Sequence, residues 1–280
     1  TFRFRHAGVR MLAARADFEL DGRRFRAGAL IVPDADRGAL EPTLRDLGLS
    51  AWAVDDPPTV ETHELDVPRI GYVHSWTRTQ DEGWWRAAFD TYGVPYTYLG
   101  DQKLREGHLR ERFDVIVFPH VGGDAVSQVN GMARGDGAPL PYRRTDATPH
   151  LGALDETDDI RGGMGIQGLA ALATFVEQGG TLITEGSTST VFPEFGITSG
   201  VTVEQPAQLF VRGSILRARV ADRTSPILFG YDGDELPVYF NQSPVLNAGG
   251  VPPATPAPNN PNVGLGQIVT PNAFPLPLSP

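Results

Sequence analysis

The sequence predicts an α/β domain, a parallel sheet with flanking β-rich elements. Three observations carry that expectation. Strand and helix patterns alternate three times between Ile70 and Thr184, and a strand, helix, strand crossover implies parallel pairing. Ile70-Gly71-Tyr72-Val73 and Thr181 to Thr184 read as short buried strands, each next to a helix with one apolar face. Outside that stretch the sequence breaks into short β-like runs with hairpin signals.

Residues 1 to 60 read as a small β-rich module with one helix. Phe18-Glu19-Leu20 alternates apolar with polar, Asp21-Gly22 is a hairpin turn signal, and Ala29 to Val32 is a second strand before Pro33. Leu40, Leu44 and Leu47 mark a helix that stops at Gly48. Asp55 to Pro68 has no regular pattern and reads as a linker.

The α/β domain is expected over residues 66 to 200. After Ile70 to Val73, Thr79-Gln80-Asp81-Glu82 forms a capping box, with two acids at the positive end of the helix dipole. Trp85, Ala88, Phe89 and Tyr92 then line one helical face, Gly93 closes the helix, and Pro95 to Leu99 returns as strand. Leu104 to Arg112 predicts a shorter helix, and Phe113 to Phe118 a third strand ending at Pro119-His120. Gly122 to Gly165 is rich in Gly, Pro and Asp; a segment that long is a lid, a docking arm or disorder.

Ile166, Leu169, Ala170, Ala173 and Val176 place an apolar stripe along the next helix. Gly179-Gly180 stops it, and the strand Thr181 to Thr184 runs out at Glu185-Gly186-Ser187. In an open α/β sheet ligands bind beyond the carboxyl ends of the strands, so this is the first place to look for function. Beyond Phe192 short β-like runs cover Val201 to Val203, Gln208 to Val211, Ser214 to Val220 and Val238 to Phe240, so 201 to 248 reads as β-rich elements packing on the domain. Residues 249 to 280 are crowded with Pro and Asn and read as a tail.

Composition narrows the function. A net charge of −10 argues against a nucleic-acid partner, whose phosphates call for a basic face. The chain has no Cys, which removes disulfides, thiolate metal sites and Cys nucleophiles together. No apolar run is long enough to span a membrane. The opening Thr1-Phe2-Arg3 carries neither an initiator Met nor a signal pattern, and reads as part of a longer polypeptide.

The runs PRIGYVHSW, DEGWWRAAFDTYGVPYTYL, LREGHLRERFDVIVFP, GIQGLAALATFVEQGGTLITEG and VRGSIL together resemble the glutamine-amidotransferase-like region that follows the catalytic domain in many bacterial M14-type zinc carboxypeptidases. The likeness covers roughly residues 10 to 245, with Asp81-x-Gly83-Trp84-x-Arg86 and Phe175-Val176-x-x-Gly179-Gly180-Thr181 in the same order. It implies a flavodoxin-like, class I glutamine-amidotransferase-like sheet, and a secreted or periplasmic parent metallopeptidase whose zinc domain lies upstream of Thr1. Zinc chemistry of that kind needs a His-x-x-Glu pair and a distant His. The His-x-x-Glu spacing occurs once, at His108-Leu109-Arg110-Glu111, within the amidotransferase-like run LREGHLRERFDVIVFP rather than in a peptidase domain, so no zinc site is carried over and no cofactor is expected in this segment. The peptidase domain of the same polypeptide is the expected partner.

Class I amidotransferases place a Cys at a strand-to-helix elbow, backed by His and Glu. The matching strand here leads into Glu185-Gly186-Ser187, so either Ser187 attacks, with His120 as base and Glu185 as orienter, or the elbow has lost its nucleophile. Gly163, Gly165 and Gly168 match a dinucleotide fingerprint with Glu185 about 20 residues on, but no strand leads into the first glycine. A Gly-rich loop holding an anion at a helix N-terminus is the alternative. The acidic run Asp155 to Asp159 lacks the pattern of a calcium loop and reads as a solvated turn.

His74, Trp76, Asp81, Trp84 and Arg86 gather around the end of the first strand of the domain and the start of its helix, where two indoles and a guanidinium would grip a ligand. The opposing reading buries the tryptophans against neighbouring modules and pairs Asp81 with Arg86. The sequence therefore supports a non-catalytic accessory domain. The alternatives are a ligand module, in which these residues with His120 and Glu185 hold a small anionic or glycan ligand, and a Ser187 hydrolase.

Overall fold

A computed structural model describes residues 1–76, 78, 80–241 and 243–248. The capping residue Thr79 and the tail 249–280 lie outside the described residues. The chain divides into two compact units, one of Thr1–Val67, Tyr92–Val94 and Arg219–Leu236, the other of Pro68–Thr91, Pro95–Ala218 and the described residues from Pro237.

The first unit holds α1 (Phe2–Arg5), β1 (Leu12–Ala14), β2 (Phe18–Leu20), β3 (Arg23–Phe25), β4 (Leu30–Ile31), α2 (Arg37–Asp46) and β5 (Thr62–Glu64). The expected turn at Asp21 and Gly22, at φ 53° and 70° as a two-residue turn of this hand requires, joins β2 to β3, while the strand expected at Ala29 to Val32 is β4 and pairs with β1. α2 starts where the Asp36 carboxylate accepts from the amides of Gly38 and Ala39. β1 runs between β4 and β5, antiparallel to both. The stretch read as a patternless linker thus contributes β5, which at three residues is too short to show a period.

The second unit is built on four parallel strands: β6 (Ile70–His74), β7 (Thr97–Gly100), β8 (Val115–Phe118) and β9 (Thr181–Thr184), in the order β7-β6-β8-β9. Between them come α3 (Gln80–Tyr92), α4 (Leu109–Arg112), α5 (Ala125–Asn130) and α6 (Gly165–Glu177), and α7 (Val191–Glu194) follows β9. Strand alternation sorts the core. Val73, Ile116, Phe118 and Leu182 meet Leu109, Val129, Leu169, Leu172 and Phe175 from α4, α5 and α6. On the other face Tyr72 stands level with Val117 and packs edge-on against Phe89 of α3, ring centroids 5.6 Å apart.

Three local expectations are corrected, and one segment gains structure. The helix Leu104 to Arg112 is instead a 3-10 turn, Asp101–Glu106, and α4, separated by Gly107 and His108 at φ 68° and 51°. The stripe on α6 is rotated: Leu169 is buried as expected, but Ile166 and Val176 are 59% and 41% exposed while Leu172 and Phe175 are buried. The long segment contains α5, capped by Asp124, and is tied down by a bridge between Tyr142 and Thr157. Gln208 to Val211 is not a strand; Pro206 has no amide proton to pair, and a turn with Leu209 N–H donating to Pro206 C=O occupies the place.

Three further strands, β10 (Val201–Glu204), β11 (Ser214–Arg219) and β12 (Glu235–Phe240), follow the expected runs, and β13 (Val245–Ala248) pairs antiparallel with β10. β11 pairs with β12. Val211, Phe240 and Val245 form a small core of their own with Leu209 and Leu216.

Candidate functional site

β9 runs out at Thr184, Glu185 continues in extended backbone, and Gly186 then turns at φ 53° into the 3-10 helix Gly186–Thr190. Glycine is required at 186 twice over, because the left-handed backbone penalises a side chain and a Cβ would lie 2.5 Å from Nδ1 of His120. Thr188 fixes the turn, its hydroxyl accepting from the Glu185 amide at 3.1 Å and donating to the Phe118 carbonyl at 2.7 Å. The ends of β8 and β9 are thereby locked together.

His120 lies two residues beyond β8. Its Nδ1 accepts from the Ser187 amide at 3.0 Å, so the ring proton sits on Nε2, 4.0 Å from Oδ2 of Asp81. The Ser187 hydroxyl is buried and accepts from the amides of Gly122 at 2.8 Å and Val121 at 3.3 Å. Ser187 and His120 thus meet through the Ser187 amide, and the hydroxyl occupies a pair of backbone donors. Glu185 is held from α3, where the Trp85 indole donates to its carboxylate at 2.5 Å.

Asp81, His120 and Glu185 line a cleft of about 650 Å³. Its far wall is apolar, made by Leu216 and Ala218 of β11, Val238 and Phe240 of β12 and Leu246 of β13. No motif in the sequence marked these wall residues, and Tyr239 and Asn241 join them along the same edge of the cleft.

The remaining candidates sit apart from this cleft. His74 is buried at the end of β6, stacked on Tyr98 at 4.2 Å, with Nε2 donating to Asp155 at 3.0 Å. Trp76 leans on His74 and donates to Gln102 at 2.6 Å. Asp155, read from the sequence as part of a solvated turn, is buried and also accepts from the Gly100 amide at 2.5 Å and from Lys103. Burial alone would push its carboxyl up, but these donors outweigh it and hold it at about 2. Beside it Asp101 has no such set of partners, and burial pushes it up to about 6.

Arg86 is turned away from the cleft, its guanidinium 4.7 Å over the Tyr98 ring and 3.4 Å from the buried Glu82. Trp84 projects outward, 71% exposed. Asp81 and Arg86 are therefore not each other's partners. At the α6 N-terminus the carbonyls of Gly162, Gly163 and Met164 accept from Arg105, so this loop presents acceptors to a cation. Gly165 begins the helix at φ 62°, and Gly168 lets α6 approach Leu104, since a Cβ would lie 3.2 Å from the Leu104 Cβ.

The chain matches no protein-family profile, no curated protein and no solved structure. Function has to be argued from the site itself. Among the described residues no three His, Asp or Glu side chains are grouped to hold a metal ion. No helix among the described residues is long and apolar enough to cross a membrane. What the cleft offers is two carboxylates, an Nε2–H donor and an apolar wall, which are the parts of a binding site.

Proposed function

We propose that this chain is the non-catalytic, class I amidotransferase-like accessory part of a secreted or periplasmic M14-type zinc carboxypeptidase, with the zinc domain upstream in the same polypeptide. Its role there is to brace that domain or contribute substrate contacts. The strand order β7-β6-β8-β9 supports a flavodoxin-like sheet, because that fold opens with its second strand outside its first and then runs to the third and fourth. The observation that carries the reading is the residue at the elbow. The sharp left-handed position after β9, where an amidotransferase nucleophile would project, belongs to Gly186, which has no side chain to attack with.

Assays of the purified chain for glutamine hydrolysis and ester hydrolysis test the catalytic half of this reading. Rates indistinguishable from buffer are expected; turnover that disappears in Ser187→Ala would overturn it. The other half is tested by reading the coding region before Thr1, where His-x-x-Glu followed by a later His is expected.

The cleft favours a second reading, a ligand-binding module. An apolar wall facing a few convergent polar groups is the usual make-up of a small-ligand site. Titration of small-molecule fragments, followed through the indole N–H resonance of Trp85, checks it: saturable shifts lost on filling the cleft with Ala218→Trp support it.

A further inference from the structure

Two clefts meet at His120. The first is the one floored by Asp81 and Glu185. The second, of about 620 Å³, is lined by Asp124, Glu194 and Glu204 together with Val203, Pro206 and Leu209. His120, Ser243 and Pro244 line both, so the two clefts adjoin across these residues and are taken as neighbouring lobes.

Carboxylates stand in each lobe. Asp124 is kept below the usual carboxylate range by the Ser127 amide and hydroxyl, and so is anionic at neutral pH. Glu204 accepts from Thr202 at 3.1 Å, and Glu185 from Trp85. Positive groups nearby are fewer, among them Arg78, whose guanidinium runs along Gly122 and Gly123. Such a groove repels anions and attracts cations. A bare, strongly hydrated ion gains nothing from apolar walls, whereas a cation carried on an apolar stem does. Two adjoining clefts also call for an elongated occupant, and an extended chain at ~3.3 Å per residue is such a shape.

We propose that the groove binds an extended basic peptide segment, with lysine or arginine head groups at the carboxylates of both lobes and alternate apolar side chains against the walls. Alternation of this kind is what an extended backbone presents to two sides of a groove. The proposal rests on reading the cleft as a ligand site and commits it to one ligand class.

The test uses the whole chain and three acetylated, amidated pentapeptides in which leucine alternates with lysine, glutamine or glutamate, titrated by calorimetry at low and at physiological salt. The lysine peptide is expected to bind about tenfold more tightly than the glutamine peptide and to weaken as salt rises. Glu185→Gln in one lobe and Glu194→Gln in the other should each weaken it roughly threefold to tenfold, with thermal unfolding unchanged. Equal binding of the lysine and glutamine peptides would overturn the charge argument while leaving the cleft a ligand site. Tightest binding of the glutamate peptide would overturn it in favour of an anionic ligand. Loss confined to Glu185→Gln would overturn the elongated occupant. If no peptide binds, the proposal fails, and fragment shifts at Trp85 in the same sample show whether the cleft reading survives it.

Discussion

Gly186 and His120 are in contact at the ends of two neighbouring strands, so close that a single methyl group on Gly186 would sit 2.5 Å from Nδ1 of the imidazole. The same nitrogen accepts from the Ser187 amide, so ring, turn and strand ends form one fixed unit.

Gly186→Ala is therefore expected to destabilise the chain by about 2 to 4 kcal/mol, through backbone strain at φ 53° and the clash with His120. Denaturant unfolding measures it. Adding His120→Gly should restore part of the loss, because it removes the clash and leaves the strain; no restoration would mean that the imidazole is not what glycine makes room for.

Asp155 and Asp101 give opposite pH signatures. Asp155 titrates at about 2 in the fold against an ordinary 3.8, so the fold binds fewer protons there than the unfolded chain does. Its stabilisation, about 2 kcal/mol, is present above pH ~4 and lost as pH falls toward ~2. Asp101, raised to about 6, keeps its proton longer in the fold, so its contribution favours the fold below pH ~4 and fades as pH rises through ~6. Asp101→Asn should thus raise stability at pH 7 and flatten the slope between pH ~4 and ~6, while Asp155→Asn should lower stability at pH 7 and flatten the acid limb. Urea midpoints across that range provide the check.

On α6 the rotated stripe makes a paired prediction. Leu172→Ala and Phe175→Ala remove side chains that are 1% exposed and should cost about 2 to 5 kcal/mol each. Ile166→Ala, at a position 59% exposed, should change stability by less than about 0.5 kcal/mol. Similar losses at all three positions would contradict the burial pattern.

Trp85→Phe removes the indole N–H that holds Glu185 across 100 residues of sequence. A loss of about 1 kcal/mol is expected from the missing hydrogen bond. Glu185→Gln keeps an acceptor in the same place and should leave thermal unfolding unchanged. The comparison by thermal unfolding separates an acceptor role for Glu185 from a role for its charge.

The sequence by itself determined the parallel unit. Apolar runs such as Ile70 to Val73, punctuated by Gly93 and by Gly179 at φ 84°, are local signals, and the α3 and α6 helices and all four strands of the sheet follow from them. It also brought Asp81, His120 and Glu185 into question together, since chain ends of parallel strands share one rim. Only the tertiary structure decided the rest. α6 is apolar nearly all round, so its sequence carries two competing stripes, and the positions of β8 and α5 select Leu172 and Phe175 over Ile166 and Val176. Asp155 looks like any surface acid until His74, Gly100 and Lys103, each more than fifty residues away, converge on it. The cleft wall comes from β11, β12 and β13, whose inward faces no local pattern encodes, because burial of short strands is fixed by what packs against them.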